Sequence, residues 1–224
     1  MSWVPSGNLP ATRSASAGRC CCRRPCSRRA CWWRRANWPS LLRNHLEVSW
    51  AIDFFTVATL GFQVLYVFLV FDHARREVRH FAVMSHPSME WVIQQLWEAM
   101  PFGEQPRYLL RDNDSIYRHG VRAFLESCGI LEVRTAYRSP WQNPYVERMI
   151  GTLRRGLLDH VIVLNQAHLE RLLGEYPDHY YHTARPRQGL DGETPSRSTM
   201  AAEGELISVP VVGGLHHRYY RAAA

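Results

Sequence analysis

The sequence predicts one α/β domain built on a mixed sheet, in the element order βββαβαβα. Three apolar, β-branched and aromatic runs follow one another with short connections, "VSWAIDFFTV", "FQVLYVFLVF" and "REVRHFAVM", which favours an antiparallel meander. Beyond them, stretches with helical spacing alternate with short apolar strands, so helices should cover the sheet. A chain of 224 residues with 46% apolar composition fills one compact core with tails and is short for two full domains.

The first helix lies in "HPSMEWVIQQLWEAM", with Pro87 and Ser88 near its start and apolar residues at 89, 92, 93, 96, 97 and 100. "RYLLRD" reads as a short strand, "HGVRAFLESCG" as a helix stopped by Gly129, and "ILEVRTA" as another strand. A third helix starts from Asn143 as N-cap with Pro144 at N1, which makes Glu147 the N4 residue. Val146, Met149, Ile150, Leu153 and Leu157 form its apolar stripe and leave Glu147, Gly151, Arg154 and Arg155 toward another face. A fourth helix runs from about Gln166 to Tyr181, and Pro177 is expected to break it.

The formal charge of +7 is unevenly placed. Residues 1–40 carry eight arginines and no acid, whereas the remaining 184 residues hold 19 arginines against 20 acids. Every basic Lys/Arg position is arginine, which suits phosphate contacts and equally suits a GC-rich coding sequence. The same tail holds cysteines 20, 21, 22, 26 and 31 without regular metal-ligand spacing, so residues 1–40 are expected to be disordered or a non-native coding frame. The expected division is this tail, a core over 41–195 and a C-terminal extension over 196–224. No uncharged apolar run of membrane-spanning length and no secretory signal is readable, so a cytoplasmic location without membrane contact is expected.

Three acids stand out. Asp53 sits inside the apolar run "WAIDFF", where an unpartnered carboxylate costs on the order of 2 to 7 kcal/mol. Asp112 follows the strand "YLLR", with Asp114 as a second choice in "RDND", and Glu147 opens the arginine-rich helix. Taken singly, Asp112 fits a turn former and Glu147 a solvated acid near the helix dipole. Strand centre, strand end and helix start can also converge at one sheet edge, where three carboxylates need cations to stay ionised together. Oxygen ligands of this kind suit Mg²⁺ or Mn²⁺, and a shared metal pair is the expectation.

The segments "WAIDFFTV", "YLLRDND" and "RSPWQNPYVERMIGTLRRGLLDHVIVLNQAHLERLLGEY", followed by "YYHTARPRQGL", resemble the DDE-type integrase catalytic core of bacterial insertion-sequence transposases and retroviral integrases. The 34 residues between Asp112 and Glu147 are close to that family's spacing, and the resemblance extends over about residues 41–221, including "GGLHHRYYRA". It implies a ribonuclease H-like fold with helices on both faces of the sheet. It also implies Asp53, Asp112 and Glu147 as catalytic and metal-binding residues, a two-metal Mg²⁺ or Mn²⁺ site, and cleavage and strand transfer on DNA ends and target DNA. With the arginine face, DNA contacts are expected at Asn143, Arg148, Arg154 and Arg155, on a homo-oligomer in a bacterial cytoplasm. Residues 1–40 lack the periodicity of the recognition domain such proteins usually carry, and Arg187 stands where the family often has histidine. The alternatives are a truncated, non-catalytic DNA-binding remnant and a ribonuclease H-type nuclease without joining activity.

Overall fold

Strands β1 (Ser49–Ala58), β2 (Val64–Asp72) and β3 (Glu77–Met84) form the antiparallel meander expected from their apolar runs. Strands β4 (Tyr108–Arg111) and β5 (Leu131–Arg134) add in parallel beyond β1, giving the sheet order β3-β2-β1-β4-β5. The computed structural model describes residues 40, 44–101, 104–117, 119–136, 139–196 and 203–222. The arginine- and cysteine-rich tail, with the expectations placed on it, lies outside the described residues apart from Ser40.

Helices α1 (Met89–Ala99), α2 (His119–Ser127), α3 (Pro144–Gly156) and α4 (Gln166–Tyr176) pack with the sheet. Ser88 caps α1, its Oγ accepting from Trp91 N at 3.2 Å, and Gly129 ends the α2 segment at φ 72°, a left-handed geometry that glycine adopts freely. On one sheet face Trp50, Ile52, Phe68, Val70 and Leu109 pack with Val92 and Leu96 of α1 and Val121 and Leu125 of α2. Each fully buried Leu, Ile or Val there contributes about 1.5 to 3 kcal/mol. Side chains alternate along a strand, so Asp53 and Phe55 point to the opposite face. There Arg154 of α3 lies 5.9 Å from the Phe55 ring centre, and Gln166 of α4 donates to Val83 O at 3.0 Å. Helices therefore cover both faces, as the fold class requires.

Three details differ from the sequence reading. Trp97, counted in the apolar stripe of α1, is 63% exposed and leans on Phe124, because Gln95 and Ala99 take the inward positions instead. Pro177 does not end the last helix: α4 passes into a π-helical turn, Pro177–Tyr181, in which His182 N donates to Pro177 O at 2.8 Å. Proline forfeits one N–H bond, and the wider turn keeps the chain helical beyond it. The C-terminal segment is a hairpin of β6 (Leu206–Val211) and β7 (His216–Arg221), turned at Val212, Gly213 and Gly214, all at positive φ. His216 docks it, its ring stacked on Tyr180 at 4.2 Å and its Nε2 2.6 Å from Gly156 O.

A candidate active site at the sheet edge

The parallel pairing of β1 with β4 sets Ala51 opposite Leu110, so two residues further along each strand stand Asp53 and Asp112. Asp53 pairs with Leu69 of β2 across the antiparallel ladder and lies two residues beyond the last β1–β4 pair. It faces the α3 side of the sheet, and Glu147 stands on the first turn of α3. The charges of Glu147 and Asp112 both bear on Asp53.

The Asp53 carboxyl records this directly. Burial first, and the Glu147 charge second, push its pKa up to about 7, with the Asp112 and Asp114 charges adding to the rise. Only the Phe54 N–H, donating to Asp53 Oδ1 at 2.8 Å, pulls the other way. Asp112 is also raised, chiefly by burial; the Asp114 N–H lowers it, the Asp114 charge raises it, and Arg111 lowers it. Asp112 acts on Asp53 more strongly than Asp114 does, in keeping with its place immediately off β4.

Three residues that the sequence reading missed support this edge, Arg111, Glu132 and Tyr117. Arg111 is 4% exposed; its Nε donates to Glu132 Oε1 at 2.8 Å, its Nη2 meets the same carboxylate, and its Nη1 donates to Asp112 O at 2.9 Å. This buried ion pair joins β4 to β5 and anchors the chain where Asp112 leaves the sheet. Tyr117 is buried beneath the acids, its ring 5.8 Å from Phe54, and burial plus the charges of Asp53, Asp112 and Asp114 push its phenol well above the usual range. A charged residue ending the apolar "YLLR" beside a glutamate in "LEVR" was the available signal for the ion pair.

The expected metal geometry is not formed by the side chains as they stand. Among the described residues no group of three His, Cys, Asp or Glu converges to hold an ion. Glu147 lies exposed on the helix surface, and mutual repulsion opposes closer approach of three anions. Asn143 also departs from expectation. It occupies the N-cap position, yet its side chain makes no capping bond; it is 3% exposed, and both its amide atoms lack partners among the described residues. Its carbonyl accepts from Glu147 N at 3.2 Å instead. Arg148, Arg154 and Arg155 are all exposed on α3, with Arg155 folded back against Gly151.

No helix among the described residues is long and apolar enough to cross a membrane. No match emerges among curated proteins. Residues 129–195 match the integrase core domain family, a stretch that contains Glu147 and Arg187. Solved structures that share the fold include the following three. A chain of the simian T-cell lymphotropic virus intasome, in complex with a PP2A regulatory subunit, is 14% identical at a TM-score of 0.55, over 79% of this chain and 67% of that one. The HTLV-2 integrase catalytic core with magnesium is 15% identical at 0.50, over 67% of this chain and 94% of that one. The Mos1 transposase catalytic domain with raltegravir and Mn is 16% identical at 0.54, over 69% and 84%. Residues 129–195 thus match the integrase core domain family, and the chain shares the ribonuclease H-like fold of integrase and transposase catalytic cores.

Proposed function

We propose that this chain cuts DNA and joins the cut ends to target DNA, with Asp53, Asp112 and Glu147 as the catalytic carboxylates. The observation that carries the proposal is the state of Asp53, a carboxyl set into the central strand and raised to about 7 by burial and by the charges of Glu147 and Asp112. That donor set fits Mg²⁺ or Mn²⁺, since it is all oxygen and its repulsion is relieved by a divalent cation. When bound, two such ions stabilise the attacking and leaving oxygens of a phosphodiester. The protein's own residues do the positioning. β1 carries Asp53, the Arg111 bond to the Asp112 carbonyl anchors the backbone there, and Glu147 on the first turn of α3 is near enough for its charge to act on Asp53. Exposed Arg148, Arg154 and Arg155 continue from Glu147 along the same helix and supply phosphate contacts for double-stranded DNA. A homo-oligomer bound to paired DNA ends is the assembly that this chemistry calls for.

A labelled duplex end incubated with the full chain and Mg²⁺ or Mn²⁺ tests the proposal. Joined product that disappears with Asp53→Asn supports it. Cut product without joining identifies a nuclease, and a shifted band without chemistry identifies a DNA-binding remnant.

A further inference from the structure

A second concentration of charge lies around Tyr181, and it is cationic. The Arg187 guanidinium stacks on the Tyr181 ring at 3.8 Å, and the Arg76 guanidinium stacks on Tyr145 at 3.6 Å. Tyr181 is 3% exposed, and Arg76, Arg185 and Arg187 all act on its hydroxyl. Arg187 Nε and Nη2 and Arg76 Nη1 are buried without hydrogen-bond partners among the described residues. The groups acting most strongly on Arg187 are three tyrosines and Arg185, with no carboxylate among them, and burial lowers its pKa. His73, pushed down to about 4 mainly by burial, stays neutral beside Arg76 and offers no compensation.

The adjacent Arg75 shows what a satisfied arginine looks like here. Its Nε and Nη2 donate to the carbonyls of Thr194 and Pro195, and its Nη1 lies 3.7 Å from Glu193. Arg76, one residue on, holds a left-handed backbone at φ 59°, a strained geometry for a residue with a side chain. A Cβ on Gly189 would lie 3.9 Å from Arg76 Nη2, so the turn after β2 and the loop around Arg187 meet at this point. Both arginines are partly exposed as residues, whereas their three unpartnered nitrogens lie buried beneath that exposed part.

We propose that Arg76 and Arg187, with Arg185 and the Tyr181 hydroxyl, form a phosphate-binding site separate from the carboxylates. Guanidinium groups are planar donor forks matched to phosphate oxygens, and donors arriving from two chain segments suit an anion with oxygens on several sides. The phosphate is either a DNA phosphodiester or free inorganic phosphate. The site rests on the proposed function only for the first of these sources.

The test is thermal unfolding of the full chain in EDTA, with inorganic phosphate raised at constant ionic strength against chloride. The melting temperature of the parent should climb with phosphate, as for any ligand that binds only the folded state. The response should vanish in the double variant Arg76→Gln, Arg187→Gln and shrink in Arg187→Lys, which keeps the charge and loses the fork. A parent indifferent to phosphate, or a double variant that responds equally, overturns the site. Neither DNA nor metal enters this measurement, so a parent inactive in strand transfer leaves it standing. A non-specific duplex then separates the sources. Loss of up to two phosphate contacts flattens the log–log salt dependence of the double variant by up to about 1.8, whereas an unchanged slope assigns the site to the free anion.

Discussion

Two clusters of like charge flank the start of α3, one reached through Glu147 and the other through Tyr145, and they are held in different ways. The acids sit on or directly beside regular elements: Asp53 inside a ten-residue strand and paired there with β2, Asp112 immediately after β4, Glu147 on a helix. The arginines sit on a turn and a loop, their planar faces laid on tyrosine rings. Sheet and helix backbones fix the positions of short side chains, which suits groups that must align reacting oxygens. Long side chains on loops give reach and adaptability, which suits gripping an anion. In both clusters burial pushes the charged groups toward neutrality, Asp53 upward and Arg187 downward, so a ligand of opposite charge would relieve each.

The sharpest break between the clusters is Glu147→Gln, which keeps size and helix while removing one negative charge. Cleavage and joining should fall at least about a thousandfold, roughly 4 kcal/mol of barrier, while the phosphate response of the arginine cluster stays at the parental level. Strand-transfer assays beside phosphate melting curves check both halves. Parental activity in this variant would make Glu147 an ordinary helix-start acid, worth about 0.3 to 1 kcal/mol of stability.

The next effect is pH-dependent stability without metal. Asp53 ionises near 3.8 in the unfolded chain and near about 7 in the fold, so the folded state binds the extra proton between those values. Its contribution is therefore present at low pH and is lost as pH rises from about 4 through 7. Relative to Asp53→Asn, the parent should lose about 2 kcal/mol between about pH 5 and 6.5 in EDTA, and Mg²⁺ should restore most of it. Parallel denaturation midpoints for the two proteins across that range would show that the carboxyl is solvated rather than crowded.

How much of this could be read in advance depends on which contacts are local. The meander and the Asp53–Asp112 edge were legible because apolar runs and short connections dictate strand order, and parallel neighbours then align their ends. The polarity of α3 was legible from Asn143 and Pro144, although the Asn143 side chain turns inward instead of capping. The β6–β7 hairpin was missed because its strands are mostly exposed and carry little apolar alternation; the paired glycines 213 and 214 were its one strong signal. The arginine cluster was out of reach altogether. Residues 76, 145, 181 and 187 meet only because the end of α4 folds back on β3, where Val78 N donates to His182 Nε2 at 3.0 Å, and no sequence period encodes that.

A smaller effect probes whether the exposed arginines of α3 extend the acidic site toward DNA. Replacing Arg154 and Arg155 with alanine should flatten the salt dependence of duplex binding by about 1.8 and weaken affinity roughly tenfold, about 1.4 kcal/mol. Thermal stability should barely move, since both side chains are exposed. An unaltered salt slope would make this a solvated face and leave the Tyr181 cluster as the stronger basis for phosphate contact.

The smallest effect is the most discriminating for the arginine cluster, because the chain contains an internal control. Phe62 and Arg76 both adopt left-handed backbone, at φ 60° and 59°. That geometry costs a residue with a Cβ about 1 to 2 kcal/mol, and glycine removes the cost at the expense of about 0.5 to 1 kcal/mol of unfolded-chain entropy. Phe62 is 91% exposed, so Phe62→Gly should gain up to about 1 kcal/mol and nothing else. Arg76→Gly removes the same strain, a buried unpartnered N–H and one of several crowded cations, but also the stack on Tyr145. Without phosphate it should gain at least as much as Phe62→Gly. With phosphate the order should reverse, since the parent and Phe62→Gly are stabilised by the anion and Arg76→Gly is not. If Arg76 serves only as a brace for Tyr145, Arg76→Gly will instead lie below Phe62→Gly at every phosphate concentration, and the two melting curves will never cross.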